Sequence, residues 1–456
     1  SNWQGPCPRS NETVLMAEIA PLRPLRYAAK NLSPVVAPPY DVISPSEREE
    51  LMRRSSHNVV KLILPDGEGD AKYGHAAELL ASWRKDGVLV RDDQPAFYRY
   101  EQSFDPPGGG ARRKRRGFLA LVRAVPFSAK MVLPHERTLS GPKEDRFKLF
   151  RATRTNLSPG FMLYRDAKGV LDPALDRAEE IAVFATPDGI EHRLAKVVAP
   201  DAIRSIVEHV AQSQLLIADG HHRYETAVRY ATDVDQAEQA SSPYVARPEH
   251  RYFMAFLCNG DDPNLVVFAT HRLVHSLPSF DWDDFVRRAG DLFEVTPKSG
   301  SAAELGGELE AAGRSTSAFL AVGKSRAGGT QAALLKLRAG ADLAGHPTLG
   351  QRPEVLRRTD VAVLHSAILE HILGISLDAQ AKKTNLKYLQ NPREGEDAVR
   401  GGEGQILFVM NPTPVAVVRE VAEAGEVMPQ KSTYFYPKVL TGLAIHTLDP
   451  SRSVAG

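Results

Sequence analysis

Short apolar runs alternate with polar, helix-patterned segments along the whole chain. Runs bounded by glycine, proline or asparagine predict buried strands, and apolar residues spaced three or four positions apart predict helices. Because the two types intermix throughout, the pattern predicts an α/β class of the mixed α+β kind. Predicted strands include residues 58–65, 96–104, 117–127, 160–164 and 213–217, and predicted helices include residues 142–156, 221–231 and 360–375.

One helix start is marked by its capping residues. Ser44 is followed by Pro45 and then by Glu47 three positions after the serine. This order is a capping box with proline at the first helical position. The sequence therefore predicts that a helix begins at Pro45.

A basic run lies between the strands predicted at residues 96–104 and 117–127. It extends from Arg112 to Arg116. We expect the tip of an exposed hairpin, and the alternative is a grip on a phosphate backbone.

Length and composition divide the chain into more than one core. The 456 residues contain 43% hydrophobic side chains, and single cores stop growing at about 250–300 residues. The polar start of the chain predicts a disordered extension over residues 1–15, with no secretory signal pattern. We expect a first domain at residues 16–280 and a second α/β domain at residues 281–456.

Charge and cysteine content exclude several classes of partner. Lysine and arginine number 57 against 56 acidic residues, so the net charge is +1. Nothing in this balance favours a nucleic acid or an anionic membrane as partner. The chain has two cysteines, which give neither a disulfide framework nor a zinc pattern, and we expect a cytoplasmic protein.

The densest polar motif lies between the strand predicted at residues 213–217 and the next helix. Asp219, Gly220, His221, His222 and Arg223 are consecutive there. The backbone N–H groups at a helix start favour an anion, and arginine holds phosphate bidentately. We predict that these five residues bind phosphate. We also expect the core-facing stripe to begin just after the histidines, at Tyr224, Ala227, Val228 and Ala231.

Other roles remain open for this motif. His221 and Glu225 are four residues apart and so face the same side of a helix, where they could share a metal ion. A metal-dependent hydrolase is therefore a further functional alternative. Mg²⁺ held by a nucleotide needs only one or two carboxylates, and Asp219 is one candidate ligand. His222 is a candidate catalytic group, and the structural alternative is that Arg223 pairs with a surface acid such as Glu47.

Two further polar segments supply groups that phosphoryl transfer requires. Cations hold the phosphates, and a carboxylate takes the proton of the attacking hydroxyl. Glu136 and Asp41 are the candidate bases. The segment that follows Glu136 adds Lys143 and Arg146 as phosphate ligands and Asp145 as a metal ligand. The alternative is that Glu136 and Asp145 only form ion pairs with neighbouring basic residues.

A late segment, PQKSTYFYPK, combines lysines and hydroxyls with three aromatic residues. Lys431 and Ser432 are candidates for binding a carboxylate or phosphate. No glycine-rich lead precedes them, so the segment is not a P-loop. A structural or interface role is the alternative.

Several of these stretches together resemble one family. The segments IADGHHRYETA, VAPPYDVISPSERE, NVVKLILP, LPHERTLSGPKEDRFKLFRATRTNLSP and MPQKSTYFYPKVLTGL look like the signatures of domain-of-unknown-function family 1015, in the expected order. The resemblance extends from about residue 18 to residue 448 and implies no activity.

A second, partial resemblance implies one. The strand and histidine-rich helix start are similar to the nucleotide site of the ParB and sulfiredoxin superfamily, which includes free-serine kinases. The resemblance implies a ParB/sulfiredoxin-like nucleotide-binding core, with ATP, ADP or CTP and Mg²⁺ as cofactors. It implies a phosphotransferase for a small hydroxyl substrate, with free L-serine as the specific candidate, or alternatively a nucleotide-binding switch or adaptor. A homodimer is compatible with either function.

Overall fold

The computed structural model describes residues 16–106, 110–136, 140–238, 245–325 and 328–455. Helices and sheets intermix throughout these residues, which confirms the predicted mixed α/β class. The predicted extension at residues 1–15 lies outside them. No helix in this part of the chain is both long and apolar enough to cross a membrane.

The strands follow in chain order. They are β1 (Ile19–Ala20), β2 (Leu25–Tyr27), β3 (Leu89–Arg91), β4 (Phe97–Phe104), β5 (Arg113–Arg123), β6 (Val132–Leu133), β7 (Thr155–Asn156), β8 (Gly160–Tyr164), β9 (Glu179–Ala185), β10 (Glu191–Val197), β11 (Leu215–Asp219), β12 (Tyr252–Asn259), β13 (Val266–Phe268), β14 (His271–Val274), β15 (Phe293–Lys298), β16 (Ala318–Lys324), β17 (Thr330–Leu337), β18 (Leu386–Leu389), β19 (Ile406–Met410), β20 (Tyr434–Tyr436) and β21 (His446–Thr447).

The helices lie between these strands, and a π-helix occupies Val363–Ile372. The α-helices are α1 (Pro45–Arg54), α2 (Val60–Ile63), α3 (Ala71–Lys85), α4 (Ser140–Thr153), α5 (Asp172–Asp176), α6 (Pro200–Val210), α7 (His221–Glu238), α8 (Trp282–Ala289), α9 (Ala302–Gly313), α10 (Glu354–Arg357), α11 (Asp360–Ala362), α12 (Leu377–Lys382), α13 (Pro392–Gly401) and α14 (Val415–Glu423).

The chain forms two compact units. The first unit contains the described residues of Ser1–Leu133, Ser140–Asp261 and Val439–Gly456, and the second unit contains those of Pro134–Leu139 and Asp262–Lys438. The units are therefore discontinuous in sequence, unlike the predicted domains at residues 16–280 and 281–456, which stay a prediction about folding domains.

A nine-stranded mixed sheet forms the centre of the first unit. Its strand order is β6-β11-β8-β12-β5-β4-β10-β9, and β1 pairs with β5 at the side of this path. Strand β11 pairs in parallel with β6 and antiparallel with β8. Helices α4, α6 and α7 supply apolar side chains to the core on one face of this sheet. Strand β11 therefore runs inside the sheet and delivers its last residue, Asp219, to one edge.

Helix α7 packs as its hydrophobic spacing predicts. Tyr224, Ala227 and Ala231 are buried, and Val228 packs against the same core. The capping box of α1 is also present, because the Ser44 backbone N–H donates to Glu47 at 2.8 Å and the Glu47 N–H donates to the Ser44 hydroxyl oxygen at 3.3 Å. Both local predictions are confirmed.

The second unit is built around an antiparallel sheet. Six strands follow the order β15-β17-β16-β19-β14-β18, and every pairing among them is antiparallel. Helices α9 and α13 contribute to the core on one face, as with Leu305 and Val399. Strands β13 and β20 form a separate two-stranded ladder in this unit.

The strand predicted at residues 58–65 is wrong, since Val60–Ile63 is a helical turn. The Asn58 side chain accepts a hydrogen bond from the Val60 N–H at 2.9 Å and donates to the carbonyl oxygens of Pro34 and Val36. This local bonding starts the turn. A short apolar run buried on all sides has the same composition in a helix as in a strand, so periodicity does not separate them.

The exposed tip predicted for Arg112–Arg116 is only partly correct. Strand β5 begins at Arg113, and Arg115 is fully buried. Its guanidinium carbon lies 4.7 Å from the ring centroid of Phe161 and 5.5 Å from that of Phe256. Strand alternation turns this side chain inward, which a count of basic residues does not reveal.

Candidate functional site

The turn between β11 and α7 has the geometry predicted for residues 219–223. Asp219 ends the strand, Gly220 adopts a φ of +94°, and His221 begins the helix. A Cβ atom at Gly220 would lie 3.0 Å from the Arg223 guanidinium carbon. Both the backbone conformation and the closeness of Arg223 therefore require glycine here.

Arg223 fastens this turn to the sheet. It is buried, and its Nη1 donates to the carbonyl oxygen of Pro159, the residue before β8. Its Nη2 lies 3.6 Å from Oδ1 of Asp219. The bidentate grip of Arg223 on phosphate stays a prediction, and the contacts within the protein hold the turn in shape.

The two histidines occupy the first turn of α7. His221 is buried and His222 is half-buried. The Thr226 hydroxyl donates to the His222 carbonyl oxygen at 2.7 Å, which supports the start of the helix. The first turn of an α-helix places backbone N–H groups at the positive end of the helix dipole. The turn is therefore suited to an anion at this end.

Helix α4 brings two predicted phosphate ligands to the first unit. Lys143 forms an ion pair with Glu225 on α7 at 2.9 Å. Arg146 is buried and donates to the Ile63 carbonyl oxygen at 2.7 Å. Helix α4 packs against α7, so two helices separated by 67 residues in sequence are neighbours.

Asp145, a predicted metal ligand, is held by basic and hydroxyl groups. It accepts hydrogen bonds from Tyr73 at 2.7 Å, from Lys72 at 3.0 Å and from Arg146 at 2.9 Å. Burial alone would raise the pKa of Asp145, but Arg146, Tyr73 and Lys72 lower it to about 2. The carboxylate is consequently ionised and already neutralised by protein groups.

Tyr40 marks the point where the three polar segments converge. The Arg146 guanidinium carbon lies 4.2 Å from its ring centroid. Burial raises the pKa of the Tyr40 hydroxyl, and the charges of Asp41, Arg146, Arg223 and Asp219 all act on it. The structure therefore brings the candidate base Asp41 into electrostatic range of the β11–α7 turn. Sequence reasoning missed Tyr40, although it directly precedes Asp41 in the same PYD stretch.

The charges around this turn are mixed in sign. The cations are Lys72, Lys143, Arg146 and Arg223, and the carboxylates are Asp41, Asp145, Asp219 and Glu225. The two groups have equal numbers, so the site is not a simple basic patch. Phosphoryl transfer needs both signs, since cations hold phosphates and a carboxylate acts on the hydroxyl.

The remaining candidate residues belong to the second unit. The Glu136 carboxylate accepts hydrogen bonds from the backbone N–H of Ser432 at 2.9 Å and of Thr433 at 3.2 Å. The Ser432 hydroxyl donates to the Pro429 carbonyl oxygen, and the carbonyl oxygen of Lys431 accepts from Arg272 at 3.2 Å. Glu136 thus orders the segment that contains Lys431 and Ser432, which is the structural role left open for both stretches.

The donor set does not fit a resident metal ion. Among the described residues, no group of three or more histidine, cysteine, aspartate or glutamate side chains could hold one. Glu225, the partner suggested for His221, pairs with Lys143 instead. No chemical step below is therefore assigned to a protein-bound metal.

A family model matches most of the chain. The family described as "Protein of unknown function (DUF1015)" matches residues 19–361. The chain belongs to this family. The DUF1015 match includes the β11–α7 turn, helix α4 and the PYD stretch, and it ends before Lys431 and Ser432. No curated protein matches the chain.

Several solved structures are similar to this DUF1015 chain. A free serine kinase in complex with AMP has 13% identity and a TM-score of 0.35, with 70% of this chain and 89% of that chain covered. A conserved hypothetical protein from Pyrococcus furiosus has 14% identity and a TM-score of 0.32, with 67% and 87% covered. SbnI from Staphylococcus aureus has 8% identity and a TM-score of 0.32, with 71% and 85% covered. At such scores no residue role is transferred to this chain.

Proposed function

We propose that the first unit is a nucleotide-dependent phosphotransferase acting on a small hydroxyl compound, with free L-serine as the first substrate to test. The observation that carries the proposal is the position of Tyr40, the neighbour of Asp41, whose ring centroid lies 4.2 Å from the Arg146 guanidinium carbon on α4, the helix that packs against α7. The start of α7 suits a phosphate. Phosphate ligands and a candidate base are thereby combined in one unit.

The phosphates would bind at the first turn of α7. Its backbone N–H groups point toward the helix start, and His222 is half-buried there and accessible to a ligand. Lys143 and Arg146 supply positive charge from α4. Gly220 permits the close approach of backbone to phosphate, and Arg223 keeps the turn in position from behind.

Asp41 is the proposed base. It is exposed and belongs to the same unit as the β11–α7 turn, whereas Glu136 belongs to the second unit. Asp41 would accept the proton of the substrate hydroxyl while that oxygen bonds to the terminal phosphorus. The bond from this phosphorus to the nucleotide oxygen breaks, and the shortened nucleotide leaves with the electron pair. Mg²⁺ would enter as the counter-ion of the nucleotide.

Phosphoserine formation tests the proposal directly. The purified chain is incubated with L-serine, Mg²⁺ and either ATP, ADP or CTP, and O-phosphoserine is measured by mass spectrometry. Melting temperatures with AMP, ADP, ATP and CTP report binding separately, because a ligand that binds the folded state raises them. We expect at least one nucleotide to raise the melting temperature, and we expect phosphoserine to form with a nucleotide that carries the same nucleobase.

Two variants separate binding from chemistry. Asp41→Asn should lower turnover by about 100-fold or more while nucleotide affinity stays within a few-fold. His222→Ala should weaken nucleotide binding. His75→Ala is the matched control, since His75 is an exposed histidine on α3 and should change neither property.

The outcomes distinguish the proposal from its alternative. Nucleotide binding without product from serine or other small hydroxyl compounds would favour a nucleotide-binding switch. Absence of any nucleotide-dependent rise in melting temperature would refute both functions.

A further inference from the structure

A cavity of about 100 Å³ lies within the second unit, apart from every residue assigned above to the phosphotransferase. Leu356, Leu377 and Val427 contribute apolar walls. Arg352, His365 and Gln380 contribute polar ones. The combination of apolar walls with a few converging polar groups is typical of sites for small organic molecules.

One wall of the cavity is the π-helix. His365 and Ser366 both lie on it, and both line the cavity. The Leu373 N–H donates to the Ile368 carbonyl oxygen at 2.9 Å, the five-residue spacing of a π-helix. Such helices are rare, and they occur frequently at functional sites. The backbone thus provides an observation independent of the cavity itself.

The polar side of the cavity contains a neutral histidine whose ring is held by hydrogen bonds. His365 accepts from Nε of Arg272 at 3.2 Å, and its Nδ1 lies 2.8 Å from the Gln380 side-chain oxygen. Gln380 in turn donates to the carbonyl oxygens of His365 and Ile375. Burial and the neighbouring Arg272 lower the pKa of His365 to about 3. His365 is therefore neutral, and its ring is fixed in place.

Arg352 is the group best placed to receive a ligand. Its Nε donates to the Ser366 hydroxyl at 3.0 Å, and its Nη2 donates to Glu370 at 2.9 Å. These two contacts use part of the five N–H donors of a guanidinium. They fix its plane against the π-helix at the edge of the cavity, where the side chain remains 19% exposed.

The charges near the cavity favour an anion. Tyr388 lines the cavity, and the cations Arg272, Lys383 and Lys431 act on its ring or hydroxyl. Arg352 adds a cation that lines the cavity itself, and Glu370 is its carboxylate partner.

We propose that this cavity binds a small carboxylic acid, with the carboxylate on Arg352 and a short apolar chain against Leu356, Leu377 and Val427. A dry cavity of about 150 Å³ holds benzene, so this one, at about 100 Å³, suits a body of about four carbon atoms. Leu377 is 40% exposed at the rim, which leaves a way in for the acid.

The test compares acids with their uncharged amides on the full chain. Butyrate, isovalerate and benzoate are titrated against butyramide, isovaleramide and benzamide, and dissociation constants are measured by ligand-observed NMR. Because a hydrogen bond to a charged group is worth about 1.5–3 kcal/mol, each preferred acid should bind at least about tenfold more tightly than its amide.

Variants test separately where the carboxylate of the ligand binds and where its apolar chain binds. Arg352→Gln should reduce acid affinity to the level of the amide. Arg358→Gln is its matched control, because Arg358 also pairs with a glutamate but is 72% exposed on the surface. Ala381→Phe fills the cavity from α12 while keeping Arg352, and should abolish binding of acid and amide alike.

Three results would overturn the proposal. They are equal affinity for acid and amide, unchanged acid affinity in Arg352→Gln, and no binding of any of the six probes. If Arg352→Gln does not fold, Arg352→Lys keeps a cation for Glu370 and removes the planar fork, and Ala381→Phe still tests the cavity. None of these measurements depends on nucleotide binding.

Discussion

Replacing Gly220 with alanine should destabilise the first unit through two separable effects. At a φ of +94° an alanine costs about 1–3 kcal/mol of backbone strain. Its Cβ would also lie 3.0 Å from the Arg223 guanidinium carbon and 3.1 Å from Nε. Arg223 is buried and bonded to the Pro159 carbonyl oxygen, so moving it adds the loss of a charged hydrogen bond, about 1.5–3 kcal/mol.

The matched control is Gly189→Ala in the same unit. Gly189 has a φ of +81°, and a Cβ there meets no atom within 4 Å. It therefore pays the backbone strain alone. Denaturant unfolding followed by circular dichroism should give a loss for Gly220→Ala that exceeds the loss for Gly189→Ala by about 1–3 kcal/mol.

A double-mutant cycle assigns the excess to Arg223. In the Arg223→Ala background the added methyl group has no guanidinium to displace, so Gly220→Ala should cost about as much as Gly189→Ala. Equal losses for the two glycine variants in the unmodified background would refute the reasoning. Nucleotide binding offers a second readout, because only Gly220→Ala should weaken it.

Three other changes test separate parts of the structure. Burial would raise the pKa of Asp92, but Arg26 and neighbouring donors lower it from 3.8 to about 2. The ionised carboxylate therefore stabilises the fold by about 2 kcal/mol above pH 4, and this stabilisation fades as the pH falls toward 2. The loss of stability caused by Asp92→Asn in urea unfolding should shrink over the same pH range. Arg115→Met should leave the free energy of unfolding unchanged or raise it by up to about 2 kcal/mol, because Nε and Nη1 of Arg115 are buried without a hydrogen-bond partner among the described residues. A loss above about 1 kcal/mol in the same unfolding assay would contradict this expectation. Glu136→Gln should lower the melting temperature but keep phosphoserine turnover within about threefold, in contrast to Asp41→Asn.

Local patterns in the sequence were sufficient wherever neighbouring residues determine the structure. The capping box at Ser44 and the buried stripe beginning at Tyr224 depend on spacings within one helix, and both are present. The β11–α7 turn likewise follows from an apolar run, a glycine and a helical period in direct succession. Its positive φ at Gly220 is the conformation that glycine supplies at no steric cost.

Elements that depend on distant partners were not predictable in this way. The turn at Val60–Ile63 is started by an asparagine that also binds carbonyl oxygens more than twenty residues earlier. The amphipathic helix expected at residues 360–375 is largely a π-helix, with Val363–Leu369 buried on all sides. Hydrophobic spacing shows which positions are apolar. It does not show whether the backbone hydrogen bonds follow the spacing of an α-helix or that of a π-helix.

The division of the chain into two units bears most strongly on the candidate chemistry. Glu136 and Ser140 are four positions apart, yet the first belongs to the second unit and the second begins α4 in the first unit. Sequence proximity therefore grouped candidate residues that belong to different units, and the role of Glu136 as a base stays a prediction. Asp41 is separated from that turn by almost 180 residues, but its charge and that of Asp219 act on the same tyrosine hydroxyl. Position in the fold, rather than position in a polar stretch, is the reason to prefer Asp41 as the base.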